Sequence, residues 1–138
     1  MNKVFIHDQL IRFSHCDPAG IVYFPRFFDL AHGTMEDWFA EGLGQPLATL
    51  IRDRRMGTPT VSIQSDFAKP LRMGDTLRFE LRVLKVGNAS VQLAYSGMKD
   101  GVVHLRIKQT IAIVALDSGS AIPIPEDLRS RIAEYLVE

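Results

Sequence analysis

The loop Asp-Pro-Ala-Gly at residues 17–20 is the part of this sequence best suited to chemistry. Pro18 fixes its own φ and disfavours a helical conformation at Asp17, while Gly20 permits a turn that a side chain would obstruct. We therefore expect the chain to bend sharply at Asp17, whose carboxylate could attack a carbonyl carbon or activate a water molecule. Asp is also common in ordinary turns, so the loop taken alone favours a structural role.

Pro25 is predicted to occupy the first position of a helix. Phe24 precedes it and has no side-chain acceptor to cap the helix, so the N–H groups of Phe24, Arg26 and Phe27 are expected to need an outside acceptor. Free donors at the positive end of a helix dipole suit an oxyanion that develops on a carbonyl oxygen. Together with Asp17, this helix start outlines a site for acyl transfer.

Hydrophobic periodicity predicts the first elements that position these groups. Residues 3–13 alternate loosely and predict a strand. Residues 25–41 carry apolar side chains at helical spacing, which predicts one long helix with a broad apolar face. Glycines and a proline within residues 42–46 end that helix, and a shorter helix is expected over residues 47–54.

The second half of the chain is predicted to form long strands. Period-two alternation of apolar residues marks four of them, over residues 61–67, 77–83, 91–95 and 103–113. Asp100-Gly101 supplies a hairpin turn, the last strand ends before Asp117, and Pro125 opens a C-terminal helix. One strand, one long helix and a meander of strands predict an α+β fold in which an antiparallel sheet covers the apolar face of the helix.

The composition predicts one globular domain over residues 1–138, because 46% of the residues are hydrophobic and 23% are charged. Sixteen basic and sixteen acidic residues leave no net charge, which gives no support for a nucleic-acid partner. No apolar run reaches membrane-spanning length or resembles a signal peptide. We therefore expect no membrane partner and a cytoplasmic location.

No disulfide, metal site or organic cofactor is predicted. Cys16 is the only cysteine, and its side chain is expected to point away from that of its neighbour His15, which therefore would not activate it. The histidines lack paired ligand spacing, and the chain has no dinucleotide-binding glycine pattern. These histidines are His7, His15, His32 and His104.

The sequence Asp-Pro-Ala-Gly-Ile-Val at residues 17–22, followed by an aromatic pair, Pro25 and a long helix, resembles the 4-hydroxybenzoyl-CoA thioesterases of the hotdog superfamily. Later landmarks match as well: Gly-Thr-Pro at residues 57–59 precedes a strand that ends in Phe67, and Gly-Asp-Thr-Leu at residues 74–77 opens the next strand. The resemblance covers most of the chain. It implies the hotdog fold, a sheet wrapped around a central helix, and an acyl-CoA thioesterase that needs no cofactor beside its coenzyme A thioester substrate.

The resemblance also implies roles for individual residues. In the family the Asp is the catalytic carboxylate and the helix start polarises the thioester carbonyl, which implies that Asp17 is the nucleophile or general base and that the N–H of Phe24 is the oxyanion donor. Gly20, His32 and Thr58 are the implied substrate-binding residues. The family further implies a homodimer or a dimer of dimers, that is a homotetramer, with active sites at the subunit interface.

His32 lies at the edge of the apolar face of the helix, with Asp29 one turn before it and Glu36 one turn after it. Two interpretations stay open: a surface histidine paired with one of these carboxylates, and a histidine that contacts the acyl group. In the resembled family an acidic residue at this helical position meets a phenol hydroxyl of the substrate, and a Tyr stands where this chain has Phe24.

A basic cluster of Arg52, Arg54 and Arg55 is joined more distantly by Lys69 and Arg72. A charge run is usually a solvated face, and each of these residues taken alone favours that interpretation. Coenzyme A carries several phosphates, however, and Arg or Lys at the mouth of a pocket commonly bind such groups. The first four of these residues are the predicted contacts of coenzyme A.

Three alternatives stay open beside a hydrolase of aromatic acyl-CoA thioesters. They are a broad short-chain acyl-CoA thioesterase like those associated with the Tol-Pal envelope system, a hotdog acyl-CoA hydratase, and a non-enzymatic acyl-CoA-binding regulator. A hydratase would need a paired Asp and His on one catalytic segment, and the spacing of His15 and Asp17 does not match that pattern. A regulator would normally bring a DNA-binding segment, for which no residues are left over. The enzyme interpretation is therefore favoured.

Overall fold

The computed structural model describes residues 1–138 and is organised around a five-stranded antiparallel sheet. The strands in chain order are β1 (Phe5–Leu10), β2 (Met56–Gly57), β3 (Thr60–Phe67), β4 (Thr76–Val86), β5 (Ser90–Lys99), β6 (Val102–Ala112) and β7 (Val114–Ala115). The helices are α1 (Pro25–Asp37), α2 (Leu47–Arg52) and α3 (Glu126–Ala133). A 3-10 turn (Phe13–His15) precedes α1, and a π-helical turn (Trp38–Gly42) follows it.

The large sheet has the strand order β1-β4-β5-β6-β3, and β2 pairs with β7 in a separate two-stranded ribbon. All neighbouring pairs in the large sheet are antiparallel. Asp100 and Gly101 form the tight turn between β5 and β6, with φ of 51° and 76°. This turn confirms the hairpin predicted from the Asp-Gly pair.

One face of the sheet packs against α1. Alternate residues of the two central strands are buried there, which confirms the predicted period-two pattern: Leu77, Phe79, Leu81, Val83, Val91, Leu93 and Tyr95. The helix buries Phe27, Leu30, Ala31 and Met35 in the same core. The α+β fold with an antiparallel sheet over the long helix is therefore confirmed.

The strand β1 contacts α1 through polar side chains. The Gln9 amide donates to the carbonyl oxygen of Leu30 at 2.8 Å and to the Thr34 hydroxyl at 3.0 Å. The Nδ1 atom of His7 lies 2.9 Å from the Thr34 hydroxyl oxygen, and its Nε2 atom lies 2.7 Å from the Asp37 carboxylate. These contacts fix the rotation and the axial position of α1 on the sheet.

Several boundaries differ from the prediction for local reasons. The first strand ends at Leu10 because the chain then enters the 3-10 turn. The long helix stops being α-helical at Asp37 and continues as the π-helical turn to Gly42, where a Cβ would lie only 2.6 Å from Cδ1 of Trp38. The shorter helix ends at Arg52.

The last predicted strand is divided in two by the backbone at Ile113. β6 ends at Ala112, and the chain continues as β7, which pairs with β2 instead of the large sheet. At the C-terminus α3 buries Leu128 and Ile132, as the periodicity predicted, while Leu136 lies beyond the end of the helix and forms a bridge with Val83 of β4. No helix is long and apolar enough to cross a bilayer.

The strand β3 lies at one edge of the large sheet and leaves apolar side chains uncovered. Val61, Ile63 and Phe67 are 61%, 45% and 44% exposed. Ile63 and Phe67 pair with Gln109 and Leu105 of β6, whose side chains are buried, so both face the same side of the sheet as the core. The backbone groups on the outer side of β3 have no partner strand.

Candidate active site

Residues 16–22 form a small hairpin that places Asp17 at its tip. Cys16 and Val22 form an antiparallel bridge, and the N–H of Asp17 donates to the carbonyl oxygen of Ile21 at 2.9 Å. The N–H of Gly20 then donates to the carbonyl oxygen of Asp17 at 3.0 Å. Gly20 has a φ of +79°, a conformation that glycine adopts without steric cost, so the sharp bend predicted at this loop is confirmed.

The carboxylate of Asp17 is only partly used within the protein. One oxygen, Oδ1, accepts the N–H of Ala19 at 2.9 Å, the contact typical of an Asp at the start of a turn. The side chain forms no ion pair, and it lines an open pocket of about 300 Å³. The other residues of this pocket are Ser14, Cys16, Pro18, Tyr23 and Arg26. One carboxylate oxygen is therefore available to a substrate or to water.

The helix start has one free N–H group, not the three that the sequence predicted. The N–H of Arg26 donates to the carbonyl oxygen of Tyr23 at 2.8 Å, and the N–H of Phe27 donates to that of Phe24 at 3.1 Å. The prediction was wrong for Arg26 and Phe27, because the chain enters the helix through a tight turn that uses their donors. The N–H of Phe24 has no acceptor in the protein, and Pro25 has no N–H to compete with it.

Asp17 and Phe24 belong to one connected piece of backbone. The N–H of Tyr23 donates to the carbonyl oxygen of His15 at 2.9 Å, which joins the residue before Phe24 to the 3-10 turn that leads into Asp17. The N–H of Val22 donates to the carbonyl oxygen of Leu71 at 2.9 Å, and this hydrogen bond anchors the hairpin to the rest of the fold. A free carboxylate oxygen on the hairpin and a free N–H donor at the helix start are thus joined by ordered backbone.

A second, apolar pocket of about 270 Å³ is lined in part by residues of the helix start. Six of its eight residues are hydrophobic, and they include Phe24, Phe27 and Phe67, while Lys69 is the charged residue at its wall. The ring of Phe67 stacks on that of Phe27 at 5.5 Å and meets that of Phe24 edge-on at 6.2 Å between centroids. This pocket depends on a contact between α1 and the end of β3 that the sequence did not reveal.

His15 and Cys16, the two residues before Asp17, do not activate one another. The Nδ1 atom of His15 accepts the N–H of Arg12 at 2.9 Å, so the proton of the neutral imidazole is assigned to Nε2. Burial lowers the pKa of His15, and the positive charges of Arg12 and Arg26 lower it further against the opposing effect of Asp29. The Cys16 thiol donates to the carbonyl oxygen of Arg12 at 3.5 Å and has no contact with the imidazole.

The other predicted substrate-binding residues lie at different distances from this hairpin. Gly20 is part of it, and Thr58 is a partly buried residue in the connection between β2 and β3. His32 projects from α1 and lies 3.3 Å from the Glu36 carboxylate, with both side chains about half exposed. His32 is therefore paired with a carboxylate one turn away, as the first of the two interpretations predicts.

The basic cluster predicted to bind coenzyme A is engaged with carboxylates of the same chain. Arg52 lies 3.4 Å from Asp53, Arg55 lies 3.0 Å from Asp117, and Arg54 binds Asp127 with both guanidinium nitrogens at 2.8 and 3.1 Å. The guanidinium of Arg54 lowers the pKa of Asp127, which keeps that carboxylate charged. Lys69 is the exception, because it lies at the apolar pocket beside Phe24 and forms no ion pair.

An antiparallel sheet packed on one long helix, with a turn-borne carboxylate beside the start of that helix, is the arrangement of the hotdog fold. The sequence matches the thioesterase-like superfamily over residues 11–132. The chain belongs to this superfamily, and it is a thioester hydrolase.

Individual relatives agree with this assignment. The 1,4-dihydroxy-2-naphthoyl-CoA hydrolase of Thermosynechococcus vestitus is 30% identical over 131 residues, which cover 93% of this chain and 89% of that protein. The crystal structure of a thioesterase-superfamily protein from Jannaschia sp. CCS1 is 26% identical, has a TM-score of 0.92 and covers 100% of this chain and 96% of its own. A 1,4-dihydroxy-2-naphthoyl-CoA thioesterase from Synechocystis has a TM-score of 0.87 at 22% identity, with 96% of this chain and 97% of that one covered, and at this identity it supports the fold alone.

Proposed function

We propose that the protein hydrolyses an aromatic acyl-CoA thioester, with Asp17 as the nucleophile or general base and the N–H of Phe24 as the donor to the thioester carbonyl oxygen. The observation that carries this proposal is that the hairpin of Asp17, with a free carboxylate oxygen, continues directly into the helix start at Phe24, with a free N–H donor. The N–H of Phe24 lies at the N-terminal, positive end of the α1 dipole.

The chemistry follows from the two groups. Attack on the thioester carbon, by Asp17 itself or by a water molecule that Asp17 deprotonates, moves negative charge onto the carbonyl oxygen. The N–H of Phe24 accommodates that charge, and the C–S bond then breaks to release the thiolate of coenzyme A. If Asp17 is the nucleophile, the resulting mixed anhydride is hydrolysed by water in a second step.

An aromatic acyl group is supported by the name of a relative. The Thermosynechococcus vestitus protein is named as a hydrolase of 1,4-dihydroxy-2-naphthoyl-CoA. We test this with a panel of 4-hydroxybenzoyl-, 1,4-dihydroxy-2-naphthoyl- and short aliphatic acyl-CoA substrates, followed by release of the free thiol. Higher kcat/KM for the aromatic substrates is expected, and a preference for the aliphatic ones would favour the broad short-chain thioesterase instead.

His32 is proposed to affect which acyl groups are accepted more than the rate of the chemical step. It lies seven residues after Pro25, or about 10 Å along the helix, too far to touch a thioester carbon at the helix start but close enough to meet the distal end of an acyl group. We expect His32→Ala to lower kcat/KM for aromatic substrates roughly 5-fold more than for aliphatic ones, the effect of about 1 kcal/mol from one polar contact. An equal reduction for both classes, measured over the same panel, would contradict this role.

We further propose that the protein assembles as at least a dimer through β3. The apolar side chains of Val61, Ile63 and Phe67 and the unpaired backbone of this edge strand favour addition of a second strand. Sedimentation velocity at micromolar concentration is expected to give a dimer or a tetramer. A monodisperse monomer would reject the proposal.

A further inference from the structure

The basic side chains of this protein fall into two groups, those paired with a carboxylate and those without such a partner. The three arginines of the predicted coenzyme A cluster belong to the first group. Lys69 and Arg72 belong to the second, since neither takes part in any of the ion pairs of the chain. An anionic ligand that binds Arg54 must compete with the bidentate contact to Asp127, whereas Lys69 and Arg72 are free to bind it.

Lys69 and Arg72 lie on one short segment beside the helix start. The N–H of Val22 donates to Leu71 at 2.9 Å, and Ile21 forms an antiparallel bridge with Arg72. Opposite residues in an antiparallel pair project to the same face, so Arg72 projects to the face of Ile21. Ile21 and Lys69 both line the apolar pocket beside Phe24, and Arg72 follows Lys69 by three residues on the segment that pairs with Ile21.

The segment that carries these cations is held in place by β6. The N–H groups of Ala68 and Lys69 donate to the carbonyl oxygen of His104 at 2.8 and 3.1 Å. The Nδ1–H of His104 donates in turn to the carbonyl oxygen of Pro70 at 3.1 Å. The backbone that presents the two charges is thus ordered in the free protein.

Little negative charge opposes an anion beside Lys69 and Arg72. The nearest carboxylates along the chain are those of Asp66 and Asp75. Asp66 directly precedes Phe67 in β3 and therefore faces the opposite side of the sheet from Phe67. Asp75 accepts the backbone N–H of Arg72 at 2.8 Å and lies 3.1 Å from the ammonium group of Lys99. These contacts lower the pKa of Asp75 although burial opposes the shift, and Lys99 offsets its charge. Neither Lys69 nor Arg72 forms an ion pair with a carboxylate.

From this charge pattern we infer that Lys69 and Arg72 bind the phosphate groups of coenzyme A, while the apolar pocket between them and Phe24 holds the pantetheine arm. The inference rests on the proposed thioesterase function and adds to it the residues that recognise the anionic end of the substrate. A thioester of coenzyme A has an arm with apolar groups and a phosphorylated terminus, and the pocket combines the helix start at Phe24, apolar side chains and the cation of Lys69. A phosphate bound by Arg52, Arg54 or Arg55 would have to compete with the carboxylates that these arginines already contact.

The test compares two thioesters that carry the same acyl group, one on a thiol with phosphate groups and one on a thiol without them. Lys69→Met and Arg72→Met keep most of the side-chain length and remove the charge, and Arg52→Met is the matched control from the paired cluster. Each substrate is prepared on coenzyme A and on N-acetylcysteamine, which has no phosphate. We expect each of the first two variants to lower kcat/KM for the acyl-CoA about 10-fold, mainly through KM, in line with about 1.4 kcal/mol for a tenfold change. The N-acetylcysteamine thioester should be hydrolysed by these variants at the wild-type rate, and Arg52→Met should match the wild type on both substrates.

Other outcomes decide against the inference. Equal losses on both thioesters would show that Lys69 and Arg72 act on the acyl end or on the fold, and unchanged kinetics on acyl-CoA would show that they bind no phosphate. A larger loss of kcat/KM on acyl-CoA in Arg52→Met than in the other two variants would show that the arginine cluster binds the phosphates. If the wild type hydrolyses no thioester, the proposed function fails instead. Calorimetric titration with coenzyme A itself then still decides the binding site, because Lys69→Met and Arg72→Met must weaken that binding.

Discussion

Asp17→Asn is expected to lower the turnover of a reactive aromatic acyl-CoA by at least ~10²-fold, about 2.7 kcal/mol in activation free energy, without unfolding the protein. An Asn keeps an Oδ1 acceptor for the N–H of Ala19, so the hairpin retains the side-chain contact that stabilises its turn. The negative oxygen needed for attack or for deprotonation of water is lost. The helix-start donor at Phe24 is unchanged, and an unreactive substrate analogue should bind as it does to the wild type.

The matched control is Asp29→Asn, which makes the same chemical change at an exposed position of α1 outside the pocket of Asp17. Turnover and thermal unfolding are measured for the wild type and both variants. Near-normal turnover in a folded Asp17→Asn variant would reject the catalytic assignment. A collapse of the fold would show that Asp17 has the structural role that turn statistics favour.

Phe24→Pro is expected to lower kcat by roughly 10²- to 10³-fold, the effect typical of losing one oxyanion donor. Proline removes the single free N–H of the helix start and nothing else from the backbone hydrogen bonds, because that N–H has no acceptor in the protein. The φ of Phe24 is −53°, within the range that proline imposes. The variant is therefore expected to fold.

Phe24→Ala separates the N–H from the aromatic ring. It keeps the donor and removes the edge contacts of the ring with Tyr23 at 5.8 Å and Phe67 at 6.2 Å. The alanine variant should lose much less activity than the proline variant at equal thermal stability. If the two variants lose activity equally, the ring is responsible and the N–H is not the oxyanion donor.

The site could be predicted from sequence where a residue type alone sets the backbone. Pro18 and Gly20 defined the bend at Asp17, and Pro25 defined the helix start, because proline and glycine restrict or extend the local conformation whatever the rest of the fold does. The number of free donors could not be predicted. Whether a helix begins through a tight turn depends on backbone geometry that no side chain specifies, and here that turn occupies the N–H groups of Arg26 and Phe27.

Contacts between residues far apart in the sequence could not be predicted either. The partner of Arg54 is Asp127, 73 residues away, so nothing in the sequence indicated that this arginine forms an ion pair within the chain. The alternation of β1 gave no sign that His7 and Gln9 would face the helix, since polar residues in such a pattern are normally assigned to solvent. The apolar pocket forms only where Phe67 meets the first turn of α1.

The hairpin of residues 16–22 has a consequence for the entropy of catalysis. Its internal bonds, together with the links from Tyr23 to His15 and from Val22 to Leu71, order the loop in the free protein. The conformational entropy of fixing the Asp17 carboxylate relative to the Phe24 amide is therefore lost once, when the chain folds, and not again with each substrate molecule. A reaction that uses both groups starts from a site already arranged, and only the substrate has to be ordered.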